Sequence, residues 1–292
     1  MRRIEDASLR AWPALESEAL DGWELRASDG FSKRANSVQP FGPSSRPLAE
    51  KVVACESWYD ARRLPTVFRM TPFSDAGLDG LLAERGYRRI EPTQVSSRDL
   101  ALPQSVPDGL ELVALDLDPW LSTYGTLSGT SEDSLSRLRA ILDGCPERQL
   151  FGAVVAPPGP DPCACGLAVL DDGLVGLFDV VTVDRLRRRG FGTALVSHLL
   201  AWGRAEGAAS AYLQVVESNT AALALYQKLG FRSRYSYWYR IRSETSPGES
   251  GDGSHSVMRR VAGDPSVAPL MSRHARAQVI RSASHPRGRC TR

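Results

Sequence analysis

The sequence predicts an α/β protein of the α+β kind, in which helices flank a mixed, mostly antiparallel β-sheet. Three observations predict this class. Residues 177–183 are β-branched and apolar enough to form a buried strand, and residues 192–202 follow with apolar side chains at helical spacing. Residues 149–155 and 165–170 flank a proline-containing loop, which indicates a hairpin. Residues 131–142 place their leucines on one face, which is typical of a helix that packs over a sheet.

The first hundred residues predict a smaller α/β unit. Residues 23–38 alternate well enough for two strands, and Ser28, Asp29 and Gly30 form the predicted turn between them. The elements predicted after this hairpin are a helix at 51–63, a strand at 66–70, a helix at 78–85 and a strand that begins at Tyr87. The predicted order is therefore two strands, helix, strand, helix, strand.

This order of elements occurs again near residue 230. Adding 144 to a residue number superposes Gly86 on Gly230 and Tyr87 on Phe231, so we infer a weak internal repeat. The prolines at 101–108 interrupt the pattern and indicate a linker. The predicted organisation is an N-terminal lobe at 1–100, the linker, a second domain at 109–243, and a basic tail at 244–292 whose composition predicts disorder.

Composition excludes several classes of protein. The net charge is only +2, which gives no general attraction for nucleic acid or an anionic membrane. No apolar run approaches the roughly 18 residues that span a bilayer, and no apolar region follows the basic residues at 1–10, so we expect a cytoplasmic protein without a membrane partner. The five cysteines are odd in number and scattered, which argues against a disulfide framework. Cys163 and Cys165 lack further ligands at suitable spacing, so no metal site is predicted.

A basic, glycine-containing turn joins the strand at 177–183 to the helix that follows. Its residues are Arg187, Arg188, Arg189, Gly190, Phe191 and Gly192. Free N–H groups at a helix start, the positive end of the helix dipole and glycines without Cβ allow a phosphate to approach the main chain. The turn therefore predicts a pyrophosphate cradle, although such turns also occur for geometric reasons alone.

A dinucleotide-binding turn is the competing interpretation. It requires a third glycine, where this chain has Thr193, Ala194 and Leu195. It also requires an acidic residue at the end of the next strand, where this chain has Gln214, Val215 and Val216. Both departures argue against NAD.

Two motifs at the expected distance resemble the GNAT N-acetyltransferase superfamily. The first is Arg187-x-x-Gly190-x-Gly192, similar to the acetyl-CoA loop, and the second is Asn219-x-x-Ala222-x-x-x-Tyr226-x-x-x-Gly230-Phe231. The resemblance covers roughly residues 110–242 and implies a sheet of the GNAT type. No Arg-x-x-Gly-x-Gly occurs before residue 100, so the N-terminal lobe is interpreted either as a degenerate GNAT-like repeat or as an unrelated α/β cap.

The resemblance also implies roles for individual residues. The backbone of Val180, Val181 and Thr182 would line the cofactor and steady an oxyanion. Tyr226 would protonate the departing thiolate. The full set of implied cofactor-binding residues is Val180, Val181, Thr182, Arg187, Arg188, Arg189, Gly190, Phe191, Gly192, Thr193 and Asn219.

The general base is left open by the sequence. An amine with a pKa of about 10.4 is only about one part in 10³ neutral at pH 7, so it must lose a proton before it attacks. Family members often carry Glu where this chain has Gln214, and an amide cannot accept that proton. Glu217, Asp179 and a chain of water molecules are the candidates. Asp179 also fits a purely structural hydrogen bond at a strand end.

The function predicted from these residues is acetyl-CoA-dependent N-acetyl transfer to a primary amine, by direct attack in a ternary complex. Acetyl-CoA is the expected co-substrate, and the expected partner is a small-molecule or peptide amine, with nucleic acid not indicated. The alternative is a catalytically inactive GNAT-like module that binds CoA or another protein. The fold supports transfer to many acceptors, so the sequence predicts that the acceptor is an amine but does not predict which amine.

Overall fold

The computed structural model describes residues 1–42, 44–102, 105–107, 109–156, 159, 161–242 and 278–279. The helices are α1 (Arg2–Arg10), α2 (Leu48–Asp60), α3 (Leu78–Glu84), α4 (Leu117–Ser128), α5 (Glu132–Asp143), α6 (Phe191–Ala205) and α7 (Thr220–Lys228). The strands are β1 (Glu16–Leu20), β2 (Trp23–Ala27), β3 (Val67–Met70), β4 (Tyr87–Asp99), β5 (Glu111–Leu115), β6 (Arg148–Val155), β7 (Pro162–Asp171), β8 (Leu174–Thr182), β9 (Ser210–Val216), β10 (Arg232–Arg242) and β11 (Gln278–Val279).

One large sheet organises the molecule. Among the described residues it has nine strands in the order β11-β5-β6-β7-β8-β9-β4-β10-β3, and β1 and β2 form a separate hairpin. Only β8 and β9 pair in parallel, and the other neighbours in the large sheet are antiparallel. The predicted α/β class, with a mixed and mostly antiparallel sheet, is therefore confirmed.

The two predicted lobes share this sheet through their last strands. β4 belongs to residues 1–100 but lies between β9 and β10, while β10 belongs to residues 109–243 and pairs with β3. The 144-residue shift places β3 on β9 and β4 on β10, so each half pairs with the last strand of the other. The domain boundary at 101–108 stays a prediction, and the predicted tail lies outside the described residues except for β11.

The predicted hairpin over residues 23–38 is wrong in its turn and its second strand, although its first strand is β2 and Glu24 forms an isolated antiparallel bridge with Gln39. The strands of the observed hairpin pair from Glu16↔Ala27 to Leu20↔Trp23, and the turn is at Asp21 and Gly22, with φ values of 45° and 82°. Two adjacent residues with positive φ form the turn type that matches the twist of a two-residue hairpin. Residues 28–30 lead instead into an irregular loop.

Helices cover both faces of the large sheet. We name the side covered by α1, α4 and α5 the α4 face, where the buried core includes Trp120, Phe178 and Tyr212. The opposite side, named the α6 face, is covered by α6 and α7 around Leu195 and Tyr226. A third cluster joins α2 and α3 to β2 and β3. The two named faces become the two sides of the candidate active site.

Helix α1, which the sequence pattern did not reveal, is attached to the sheet by a buried ion pair. Glu5 on α1 accepts hydrogen bonds from the Arg69 guanidinium on β3 and from the Tyr235 hydroxyl on β10. Glu5 and Arg69 are both buried, with exposed fractions of 0% and 1%. Their contact therefore joins the first helix to the shared part of the sheet.

We expect Glu5→Gln to lower the free energy of unfolding by about 3–5 kcal/mol, because it leaves the Arg69 charge buried without a counter-charge. The matched control is Asp6→Asn, which removes the exposed Arg2–Asp6 pair on the same helix and should cost at most about 0.5 kcal/mol. Urea denaturation measures both. Equal losses in the two variants would contradict a stabilising role for the buried pair.

Candidate active site

The strands β8 and β9 separate midway along their length. Their parallel pairing runs from Leu174↔Ser210 to Leu177↔Leu213. Beyond that point β8 continues to Thr182 and β9 to Val216, and no pairing joins them in the described residues. The sheet therefore has an opening between the carboxyl-terminal ends of two adjacent strands.

A β-bulge in β8 lies at the start of this opening. Leu167 of β7 pairs with Phe178 and Cys165 pairs with Val181, so two β8 residues, Asp179 and Val180, lie opposite a single β7 residue. Asp179 has a φ of 48°, the left-handed conformation that a bulge can impose. The bulge thus fixes the position of Asp179.

The backbone of β8 directs amide groups into the opening. The Val183 N–H donates to the Cys163 carbonyl on β7 at 3.0 Å. Because N–H groups alternate along a strand, the Val181 N–H also faces β7, and the N–H groups of Val180 and Thr182 face the opening. An extended ligand in the opening would find hydrogen-bond donors along this edge.

The Asp179 side chain lies on the α4 face, where its charge interacts with Tyr124 and Cys165. The residue as a whole is partly accessible, but its Oδ2 atom is buried and has no hydrogen-bond partner within the described residues. Burial raises the pKa of Asp179 to about 6, and the positive charge of Arg34 opposes this shift. A carboxylate with a pKa near the working pH can accept a substrate proton.

Glu217, the other acidic candidate, has a different environment. It is exposed at the end of β9, and its carboxylate accepts a hydrogen bond from the Ser236 hydroxyl at 2.9 Å. The amide oxygen of Gln214 accepts a hydrogen bond from the Tyr237 hydroxyl at 2.9 Å. The geometry therefore favours Asp179 over Glu217 as the candidate base.

The start of α6 presents free backbone donors. Gly190 precedes the helix with a φ of 90°, and the first intrahelical bond runs from Ala194 N to Gly190 O at 2.9 Å. The N–H groups of Phe191, Gly192 and Thr193 therefore have no acceptor within the helix. Together with the helix dipole they form a site suited to a phosphate.

Two of the three arginines in the preceding turn carry uncompensated charge. Arg187 forms an exposed ion pair with Asp184 at 2.6 Å. Arg188 and Arg189 are exposed and have no ion pair with any of the described residues, and the Arg189 guanidinium lies 5.8 Å from the centre of the Phe191 ring. Both charges are available to a bound anion.

Gly192 shows how the cofactor-side elements converge. A Cβ atom at this position would lie 3.3 Å from Thr182 Oγ1 and 3.5 Å from Leu225 Cδ2. The start of α6, the end of β8 and the helix α7 therefore meet at one point. The structure brings together the predicted residues on β8, in the arginine turn and on α7.

Tyr226 and Asn219 lie at this junction on α7. Tyr226 is buried in the same cluster as Phe191 on the α6 face, with its ring 5.8 Å from Phe231 in an edge-on contact. Burial raises the pKa of Tyr226 to about 12. Asn219 uses its side-chain oxygen to cap the helix, accepting from Ala222 N at 3.1 Å. This leaves its exposed amide nitrogen for any ligand contact.

Sequence reasoning missed the residues on the α4 side of the opening. They include Trp12, Arg34, Tyr124 and Tyr212. None belongs to a spaced motif, and Arg34 lies 145 positions before Asp179. One sequence signal could have revealed α4, the helix that carries Tyr124. Asp116 precedes its first residue, and Gly129, with a φ of 71°, follows its last.

The comparisons with known proteins agree with this geometry. The model of the family described as "Probable histone acetyltransferase Rv0428c C-terminal" matches residues 1–240. The chain belongs to this family, and with it to the GNAT N-acetyltransferase superfamily. The sheet, its opening and the helix start that faces it are those of an acyltransferase fold.

Particular relatives are similar over most of the chain. The uncharacterized N-acetyltransferase YobR of Bacillus subtilis is 28% identical over 83% of this chain and 98% of its own length. The probable histone acetyltransferase Rv0428c of Mycobacterium tuberculosis is 30% identical over 80% of this chain and 70% of its own. A solved GCN5-related N-acetyltransferase from Kribbella flavida shares the fold with a TM-score of 0.63 at 16% identity, covering 85% of this chain and 95% of that one.

No helix in the described part of the chain has the length and apolar character needed to cross a membrane. Within the same residues, no group of three or more His, Cys, Asp or Glu side chains is arranged to hold a metal ion.

Proposed function

We propose that the protein transfers an acetyl group from acetyl-CoA to a primary amine by direct attack in a ternary complex, in the cytoplasm. The observation that carries the proposal is the opening between β8 and β9. It connects the α4 face, where Asp179 lies, with the α6 face, where the start of α6 and Tyr226 lie. The two substrates can therefore meet from opposite sides of the sheet.

Acetyl-CoA enters from the α6 face in this proposal. Its pyrophosphate accepts hydrogen bonds from the free N–H groups at the start of α6, and Arg188 and Arg189 balance its charge. Its extended arm follows the β8 edge. The Val180 or Thr182 N–H then donates to the thioester oxygen, which gains negative charge as the tetrahedral intermediate forms.

The amine enters from the α4 face. Asp179 takes a proton from the ammonium group, and the neutral nitrogen attacks the thioester carbon. The carbon–sulfur bond then breaks, and the thiolate leaves toward the α6 face, where the Tyr226 hydroxyl gives it a proton. The attacking nitrogen loses its second proton to solvent as the amide forms, and solvent returns a proton to the Tyr226 oxygen and takes the one held by Asp179. The base and the acid thus act on different sides of the opening.

The structure of the first lobe argues against a second cofactor site, so we propose one site per chain. At the start of α2, the counterpart of α6, the Asp21 carboxylate accepts hydrogen bonds from the Ser45 and Arg46 N–H groups at 3.0 and 2.8 Å. These bonds, with that from the Ser45 hydroxyl, lower the pKa of Asp21. The chain's own carboxylate thus occupies the position of a phosphate, and Pro47 lacks an N–H group altogether.

The alternative is a GNAT-like module that binds CoA without turnover, and it is favoured by Gln214 at the position where a Glu is common. A screen of amines that detects thiol release from acetyl-CoA, combined with calorimetry, separates the two. Thiol release and one acetyl-CoA site per chain are the expected results. Binding without release for any amine would support the module, and two sites per chain would contradict the single-cradle proposal.

Gly192→Glu tests the cradle. The new carboxylate would lie close to the pyrophosphate, and repulsion of about 3 kcal/mol should raise the Kd for acetyl-CoA about 100-fold. The control is Gly80→Glu on α3, where a Cβ atom meets nothing within 4 Å; its Kd should be unchanged. Calorimetry measures both. Tight binding by folded Gly192→Glu would remove the helix start from the proposed site.

A further inference from the structure

We propose that the acceptor amine carries a carboxylate group and that Arg34 binds this carboxylate. The inference deepens the function proposed above and rests on it. It assigns a substrate class and a specificity-determining residue to the α4 side of the opening.

Aromatic rings, not acidic groups, surround the Arg34 guanidinium. Its central carbon lies 4.9 Å from the centre of the Trp12 ring and 5.3 Å from that of Phe178. These two rings stack on each other with their centres 5.8 Å apart. Arg34 Nε is buried, and Arg34 makes no hydrogen bond or ion pair with any of the described residues. A guanidinium has five donors and bonds a carboxylate in a two-pronged geometry, so it is suited to an anionic ligand.

The loop that carries Arg34 is held by its own hydrogen bonds. The Asn36 side chain accepts from Ser28 N at 2.7 Å and donates to the Phe31 carbonyl at 2.6 Å. The Ser37 hydroxyl donates to the Lys33 carbonyl at 2.7 Å. Arg34 therefore starts from an ordered backbone, which reduces the entropy lost when it binds a ligand.

Arg34 and Asp179 lie on the same side of the opening. Phe178, which the guanidinium contacts, directly precedes Asp179 in β8. The two charges influence each other, yet Asp179 Oδ2 has no hydrogen-bond partner in the described residues and the two side chains form no ion pair. A substrate with its ammonium group at Asp179 and its carboxylate at Arg34 would satisfy both.

Other buried polar atoms on this face are mostly donors. Trp12 Nε1, Tyr212 Oη and Gln214 Nε2 have no hydrogen-bond partner among the described residues. Trp12 Nε1 and Gln214 Nε2 are donors and the Tyr212 hydroxyl can donate, so the α4 face has several unsatisfied donors besides the unsatisfied oxygens of Gln149 and Asp179. This balance matches a ligand with several oxygen acceptors, which a carboxylate provides.

The test compares ω-amino carboxylates with their carboxamides, which differ only in the charged group. Wild-type protein should acetylate the carboxylates with a kcat/KM about 10- to 100-fold higher, as expected for charge-assisted hydrogen bonds. Arg34→Met should remove the preference, so that a carboxylate and its carboxamide have the same kcat/KM in this variant. Arg34→Lys, which keeps the charge without the two-pronged geometry, should retain part of the preference. The control is Lys33→Gln, which removes the adjacent, half-buried cation paired with Glu91 and should keep the full preference.

Three results would overturn the inference. Wild-type protein could acetylate carboxamides, or a lysine peptide without acidic residues, as well as it acetylates carboxylates. Arg34→Met could keep the preference. If no amine gives thiol release from acetyl-CoA, the proposed function and this inference are both wrong. If Arg34→Met does not fold, as shown by its melting curve, the wild-type comparison and Arg34→Lys decide the outcome.

Discussion

Asp179→Asn is expected to lower kcat for amine acetylation by about 10²–10⁴-fold, the usual effect of removing a positioned base, with the Kd for acetyl-CoA almost unchanged. The amide keeps the size of the side chain but cannot accept the ammonium proton. Asp179 faces the side of the opening opposite the proposed cofactor cradle, so cofactor binding should not depend on its charge. Steady-state kinetics and calorimetry on one preparation measure both quantities.

The pH dependence gives an independent readout. Because burial raises the pKa of Asp179 to about 6, the proposed base becomes protonated below that pH. The plot of log kcat/KM against pH should therefore bend near pH 6, with a slope about one unit steeper on the acid side. Asp179→Asn should lack the bend. Glu217→Gln, which alters the exposed candidate, should keep both the bend and a kcat within about threefold of wild type.

Stability should change in the opposite direction from activity. The folded-state pKa of Asp179 lies above its unfolded value, so its protonation stabilises the fold, and this contribution is lost as pH rises from about 4 through about 6. Asp179→Asn should then raise the free energy of unfolding at pH 7.5 by at most about 3 kcal/mol and change it little at pH 4. Denaturation at the two pH values measures this. A variant that is inactive and destabilised at pH 7.5 would point to structural damage instead.

The sequence predicted most of the second half of the fold because its elements have strong local signals. β8 and α6 are apolar segments that follow one another in the chain, and the spacing of apolar residues within each segment predicts its secondary structure. No such signal predicts that β4 lies between β9 and β10 or that β10 pairs with β3. Periodicity shows that a strand exists, but not which strand it pairs with. The hairpin turn was misplaced because two Asp–Gly pairs compete there, at 21–22 and 29–30.

In the candidate site, too, local sequence predicted some residues, while others depend on segments that are distant in the chain. The helix start that forms the proposed cradle was predictable because its residues are consecutive in the sequence, and α6 begins directly after Gly190. The choice between Asp179 and Glu217 required burial, which depends on distant segments such as α4. Arg34 was not predictable, because its environment is formed by Trp12 and Phe178, far from it in the chain.

Tyr226→Phe is expected to lower kcat by about 10²–10⁴-fold while the Kd for acetyl-CoA stays close to the wild-type value. With a pKa of about 12, the phenol stays protonated throughout the neutral range and can act as an acid. A free thiolate with a pKa of about 8.5 would accept this proton at a cost of about 5 kcal/mol. The same burial raises the pKa of a thiolate formed beside it, which reduces the cost.

Packing alone predicts a different result for this variant. The phenylalanine ring keeps the edge-on contact with Phe231, and the Tyr226 hydroxyl makes no hydrogen bond with any described residue, so stability should change little. Tyr87→Phe, a buried tyrosine of the first lobe, serves as the control and should keep its kcat. An acetyl donor with a more acidic thiol should reduce the defect of Tyr226→Phe, because its thiolate leaves without a proton. A Tyr226→Phe enzyme within about threefold of wild type, with no dependence on the leaving thiol, would show that Tyr226 only packs and that water protonates the thiolate.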